Sequence, residues 1–247
     1  MMIKYEQKKS GIVCFEIKNK IAIITIDNGS QNKIQQADFL DLNCLKEWLS
    51  EQDLKGLIIN GRGRHFSAGA DIEKLKSFKD DLDSLKDSLR KGKEILNYLE
   101  ALPIITVAAI SGVCFGAGLE IALSCKFRIA TNNVVLAFPE SNLGIMPGLA
   151  GTIRLPQKIG KTKALEIIIS GRTVTAEEAY KIGLVDKIVP NKAHLSAAFE
   201  FINELTENKS ANQIKNIIHS VNNSFIQSEA LAMQTEGEIF SGMIRNL

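Results

Sequence analysis

The chain has 247 residues, 45% of them hydrophobic and 23% charged, with 30 Lys and Arg against 28 Asp and Glu. That balance excludes disorder, fibres and collagen, and a net charge of +2 provides no global field for nucleic acid or an anionic membrane. No stretch approaches the roughly 20 apolar residues of a membrane-spanning helix. Met1 to Ser10 has neither the apolar core of a signal peptide nor a transit-peptide pattern, so a cytoplasmic protein is expected. Cys14, Cys44, Cys114 and Cys125 show no C-x-x-C spacing and no His partner at zinc-finger spacing, so reduced thiols and no metal are expected.

Two Ile/Val-rich runs, Ile12 to Ile17 and Ile21 to Asp27, are separated by Asn19-Lys20 and predict a hairpin. Leu42, Leu45, Trp48 and Leu49 recur at helical spacing within Ala37 to Gln52, and Leu57 to Ile59 is a short strand running into a Gly-rich loop. Phe78 to Leu102 reads as a helix stopped by Pro103, and Ile104 to Ile110 as a strand buried on both faces. Beyond Gly112 the chain is expected to turn straight into a helix through Ser124, then to give strands at Phe127 to Ala130 and Val134 to Phe138. A Gly/Pro-rich passage from Pro139 to Gly151 opens a further helix, and Thr175-Ala-Glu-Glu178 is a capping box. From Lys192 onward only helical stretches remain, with breaks near Lys209 and Asn222. The expected division is an α/β body over 1–191 and an all-helical region over 192–247.

Among candidate motifs, Gly160-Lys161-Thr162 lacks the upstream Gly and strand of a phosphate loop. Gly112-Val-Cys114-Phe-Gly116 has the layout of a nucleophile elbow, but neither His65, His194 nor His219 follows a strand end as a base would, so Cys114 reads as a buried structural thiol. Gly116-Ala-Gly118 and Ser67-Ala-Gly-Ala70-Asp71 are small-residue turns, each able to present backbone N–H groups to a ligand oxygen or to be no more than a tight turn. Glu120, amid Leu119, Ile121, Ala122 and Leu123, is either a dipole partner of its helix or a catalytic carboxylate. Glu140, at a strand exit, is either a solvated loop residue or a catalytic one.

Taken together, Phe66-Ser-Ala-Gly-Ala-Asp71, Ile110-Ser-Gly-Val-Cys-Phe-Gly-Ala-Gly-Leu-Glu120 and Phe138-Pro-Glu140 through Gly148 to Arg154 resemble the signature blocks of the crotonase superfamily of enoyl-CoA hydratases and isomerases. The resemblance implies an α/β, crotonase-like (ClpP/crotonase) spiral of ββα units, a C-terminal helical trimerisation region, and a trimer or dimer of trimers. It implies an enzyme of fatty acid metabolism, a hydro-lyase acting on an acyl-CoA thioester without a cofactor, coenzyme A being part of the substrate. The oxyanion-hole amides map onto Ala70 and Ala117, the two catalytic glutamates onto Glu120 and Glu140, and substrate-binding positions onto Ala68, Gly69, Asp71, Gly116 and Gly148. Relatives that are isomerases usually keep only the second carboxylate, so the pair favours hydration. An isomerase or a dehydratase acting on an acyl group held by acyl carrier protein is the alternative. Glu73 stands where many relatives have a phosphate-binding Lys, and Gln31-Asn-Lys33-Ile34 departs from the usual pattern. Some relatives bind RNA through a Lys-rich helix, but Asp80, Asp81, Asp83 and Asp87 interrupt the lysines between Lys74 and Lys93, so nucleic acid is not an expected partner.

Overall fold

The structure, a computed structural model, describes residues 8–50 and 53–245. Strands β1 (Lys8–Ser10), β2 (Val13–Lys18) and β3 (Ile21–Ile26) form an antiparallel meander. The β2–β3 turn is made by Asn19 and Lys20, with φ of 53° and 63°, the left-handed pair whose twist matches that of the flanking strands. Helix α1 (Leu42–Ser50) buries Leu45, Trp48 and Leu49, as their spacing predicts, but starts later than Ala37. The end of the expected helix, at Gln52, lies outside the described residues.

Strand β4 (Gly56–Gly61) pairs parallel with β3 and is followed by α2 (Ile72–Lys76) and α3 (Leu82–Ala101). The short α2 has no counterpart in the sequence reading; at five residues it is too brief to show a helical period. After β5 (Ile105–Ile110) comes a second departure from expectation. Gly112 does not lead directly into a helix: β6 (Val113–Phe115) intervenes before α4 (Ala117–Leu123). Strands β7 (Phe127–Thr131) and β8 (Val135–Ala137) follow, then a 3-10 turn over Pro139–Leu143, α5 (Gly151–Ile159) and α6 (Lys161–Ser170).

Strand β9 (Val174–Thr175), α7 (Ala176–Lys181) and β10 (Lys187–Val189) complete the sheets. Only half of the capping box forms. Thr175 Oγ1 accepts from the Glu178 N–H at 3.3 Å, while the Glu178 carboxylate takes the Arg172 guanidinium, a charged donor stronger than a backbone amide. Three helices end the chain, α8 (His194–Thr206), α9 (Ala211–Ile226) and α10 (Glu229–Ile244); the second break falls at Gln227 rather than near Asn222.

The strands form two sheets, of order β1-β2-β3-β4-β5-β7-β10 and β6-β8-β9, and from β5 to β8 successive strands alternate between them. Thus β5, β6 and α4 form one ββα turn of a spiral, and β7, β8 and the helices after them the next. β3, β4 and β5 are buried at every position, which a parallel sheet requires when both its faces are covered. Leu57, Ile59, Ala108 and Ile110 face a core shared with α1, α3 and α4; Ile58, Val107 and Ile129 face Ala197, Ala198 and Ile202 of α8. The spiral therefore brings the ends of β4, β6 and β8 into one cleft, at loops Ser67–Asp71, Phe115–Ala117 and Phe138–Glu140.

Candidate active site

The Ser67–Asp71 loop is held from below by Asn32, a fully buried residue in the left-handed region at φ 49°. Asn32 Nδ2 donates to the carbonyls of Arg62 and His65 at 2.9 and 2.8 Å, and the Asn32 carbonyl accepts Ser67 Oγ at 2.7 Å. Ser67 Oγ in turn accepts the Gly69 N–H at 3.1 Å. Ala68 N–H donates to Gln31, Gly69 carbonyl accepts from Ile34, and Asp71 N–H donates to Ile34. The Ala70 N–H donates to none of the described residues. Asp71 turns its carboxylate onto the start of α2, accepting the N–H groups of Glu73 and Lys74. Gly69, at φ 90°, cannot be replaced cheaply, since a Cβ there would meet the Phe115 carbonyl at 2.8 Å.

Facing this loop, Ser67 bridges Cys114 of β6, with Ser67 N–H donating to Val113 and Phe115 N–H to Ser67. Gly116 then turns the chain at φ 48°, so that Ala117 becomes the first residue of α4 and its N–H has no partner within the helix or elsewhere among the described residues. A Cβ on Gly116 would stand 2.6 Å from Glu140 Oε1, so glycine here admits the carboxylate beside the Ala117 amide. Cys114 is fully buried and burial pushes its thiol well up; it is not poised as a nucleophile. His65, the histidine beside it, accepts the Val113 N–H on Nδ1 at 3.0 Å.

Glu120 is 2% exposed. Its Oε1 does not return to its own helix but accepts the N–H groups of Leu149 and Gly151, at 2.6 and 2.7 Å. The carboxylate thereby caps α5, whose N-cap residue Ala150 lacks a capping side chain and sits in the left-handed region at φ 75°. Burial pushes the Glu120 carboxyl up, and the Gly151 and Leu149 amides oppose that shift. The buried Arg154 holds the same turn in place: it donates to the Leu149 carbonyl at 3.0 Å, to Asn97 at 2.7 Å and to Glu100 at 2.8 Å. Gly148, just before this turn, is backed by Leu89 of α3.

Glu140, in the first turn of the 3-10 segment, keeps Oε2 buried with no hydrogen-bond partner among the described residues. Burial pushes its carboxyl up to about 7, with a smaller contribution from the charge of Glu120. The two expected glutamates are thus near enough to interact, in different surroundings: one clamped by amides, the other with a buried oxygen that has no partner among the described residues. Asn32, Ser67 and Arg154 complete the scaffold. Sequence reasoning assigned them no role, and only the positive φ that Asn tolerates was a local signal for the first. Among the described residues no cluster of three His, Cys, Asp or Glu side chains is placed to hold a metal ion, and no helix is long and apolar enough to cross a membrane.

A spiral of ββα turns with this cleft at its strand ends defines the crotonase fold. A structure from Polaromonas sp. JS666, titled as an enoyl-CoA hydratase, shares that fold with a TM-score of 0.88 at 22% identity, over 96% of this chain and 92% of that one. The enoyl-CoA hydratase from Thermoplasma volcanium GSS1 superposes with a TM-score of 0.83 at 29% identity, over 96% of this chain and 93% of that one. The sequence profile of the enoyl-CoA hydratase/isomerase family matches residues 16–246, and the chain belongs to that family. A curated relative from Bacillus subtilis (strain 168), named "Probable enoyl-CoA hydratase", is 42% identical over 166 residues, or 67% of this chain and 64% of that protein.

Proposed function

We propose that the protein is an enoyl-CoA hydratase, adding water reversibly across the α,β double bond of an acyl-CoA thioester. The supporting observation is the buried Glu120 and the partly buried Glu140, whose Oε2 has no partner among the described residues, beside two uncommitted backbone donors. The thioester oxygen would sit between the N–H groups of Ala70 and Ala117, with Ala68, Gly69, Gly116 and Gly148 lining the substrate and Asp71 fixing the loop through α2. Negative charge grows on that oxygen as water attacks, and fixed donors stabilise it without reorganising.

Glu120, whose carboxylate is favoured by two amide donors, takes the proton from water as the oxygen bonds to the β-carbon. Glu140, pushed up to about 7, carries a proton near neutrality and delivers it to the α-carbon. One water is consumed; Glu120 ends protonated and Glu140 ionised, and proton exchange with solvent restores both. The reaction needs no cofactor beyond the coenzyme A of the substrate. We further propose that the helical region over 192–247 assembles copies of the chain into a trimer or a dimer of trimers in the cytoplasm.

The test is incubation with crotonyl-CoA, following loss of the conjugated thioester absorbance and identifying the product. Formation of 3-hydroxybutyryl-CoA is expected. Conversion of 3-enoyl to 2-enoyl thioesters without hydration would replace this reading with an isomerase, and turnover confined to acyl carrier protein thioesters would replace the carrier.

A further inference from the structure

Resting on the oxyanion site of the hydratase reading, we propose that His65 is a positioning residue for that site: by accepting the Val113 N–H on Nδ1, its imidazole sets the spacing of the Ala70 and Ala117 amides. The two amides belong to different segments of the chain. Ala70 follows Ser67 in one and Ala117 follows Phe115 in the other, and a short run of hydrogen bonds between 65–67 and 111–115 joins them.

Phe66 N–H donates to the Ser111 carbonyl at 2.9 Å, Ser67 N–H to Val113 at 3.1 Å and Phe115 N–H to Ser67 at 3.0 Å. The last two are the rungs of a parallel bridge between Ser67 and Cys114. β6 gives the alternate groups to β8, Gly112 accepting from Val135 and Gly116 donating to Ala137, so Val113 and Phe115 face the Ser67 loop. Continued regularly, the Ser67 ladder would send the Val113 N–H to the His65 carbonyl. That carbonyl instead accepts Asn32 Nδ2 at 2.8 Å, and His65 Nδ1, 3.0 Å from the Val113 nitrogen, supplies the acceptor in its place.

Gly112, at φ 57°, makes room for the ring, since a Cβ there would stand 2.6 Å from Nδ1. Burial and the charge of Arg64 push the imidazole below its ordinary 6.5, so the ring is uncharged near neutrality and keeps a lone pair on Nδ1. Two donors aimed at one oxygen stabilise its charge best when their spacing is fixed before the charge develops. The other bonds of this run are backbone to backbone; the one that rests on the His65 side chain can be removed by substitution.

The experiment measures kcat and KM for crotonyl-CoA in wild type, His65→Asn, His65→Gln and His65→Leu, with the carbonyl stretching frequency of bound butyryl-CoA, isotope-labelled at the thioester carbonyl. Butyryl-CoA is saturated, so it reports on the oxyanion donors without being hydrated. Asn Oδ1 falls near the place of Nδ1 and can take the Val113 N–H, Gln carries its amide one bond further, and Leu has no acceptor. His65→Asn should keep kcat within about three-fold of wild type and lower the carbonyl frequency as much. His65→Leu and His65→Gln should lose about 10- to 10²-fold in kcat, with KM within about three-fold of wild type and a smaller lowering of the frequency, because the donors are displaced and not removed. If the Leu variant does not fold, Asn against Gln decides. Equal kcat and frequency in those two, or a fall in kcat with the wild-type frequency, overturns this inference and leaves the hydratase reading standing. A lowered frequency in wild type without hydration overturns the hydratase reading alone, the frequencies of the variants still deciding this one; neither lowering nor hydration overturns both.

Discussion

At the scale of single residues, the role proposed for Glu140 ties catalysis to stability. Its folded pKa of about 7 lies above its ordinary 4.5, so the folded state favours the protonated carboxyl. Stability from this group is full below about pH 4.5 and is lost as pH rises through about 7, because the chain must then bury a charge with no partner. Glu140→Gln removes that charge. It should raise the melting temperature at pH 8, by an amount worth at most on the order of 3 kcal/mol, and change it little at pH 4. An equal gain at both pH values would mean that burial of the charge is not the cause. For the same reason kcat/KM for hydration should fall above about pH 7, as Glu140 loses the proton it must deliver. Ala150 is the other residue under constraint. At φ 75° a methyl side chain is tolerated, but a β-branched one is not, so Ala150→Val should cost about 1–2 kcal/mol in denaturant unfolding and lower kcat by shifting the amides that hold Glu120.

Elements, rather than side chains, carry the proposed oxyanion site. Ala117 stands at the first position of α4, where proline is sterically acceptable and removes only the free N–H. Ala117→Pro should therefore fold and lose about 10² to 10³ in turnover with a small change in KM, while Ala117→Gly, which keeps the donor, should not. Normal turnover in a folded Pro variant would remove Ala117 from the site. Much of this layer was legible from the chain, since long strands, α3 and the two small-residue turns are written in local periodicity and composition. β6 and α2 were not, because three and five residues carry no period of their own and exist through pairing with β8 and capping by Asp71. Glu120 could be singled out as a charge among apolar neighbours, but its partners lie 29 and 31 residues away, so the choice between helix-dipole partner and clamped carboxylate needed the fold. The same holds for Asn32, whose side chain reaches the Arg62 and His65 carbonyls across the spiral.

For the whole molecule, α8 lies on the sheet, but the helices after it leave apolar surface uncovered. Phe225 and Ile226 at the end of α9 are 78% and 79% exposed, Phe240 of α10 is 63% exposed, and no residue of α10 is buried. Of the named elements, α10 packs chiefly against α9 and leaves its apolar side chains largely open, which is the basis for the proposed placing of the subunit contacts there. Phe225→Glu with Phe240→Glu should shift sedimentation to smaller species; an unchanged assembly would place the contacts elsewhere. The proposed chemistry rests most heavily on the two glutamates, and the direct measurement is kcat for hydration of crotonyl-CoA in Glu120→Gln and Glu140→Gln, each shown to be folded by circular dichroism. Each substitution is expected to reduce kcat by at least about 10²-fold, the contribution of a positioned acid or base. A near-wild-type kcat in either folded variant would contradict the two-carboxylate mechanism.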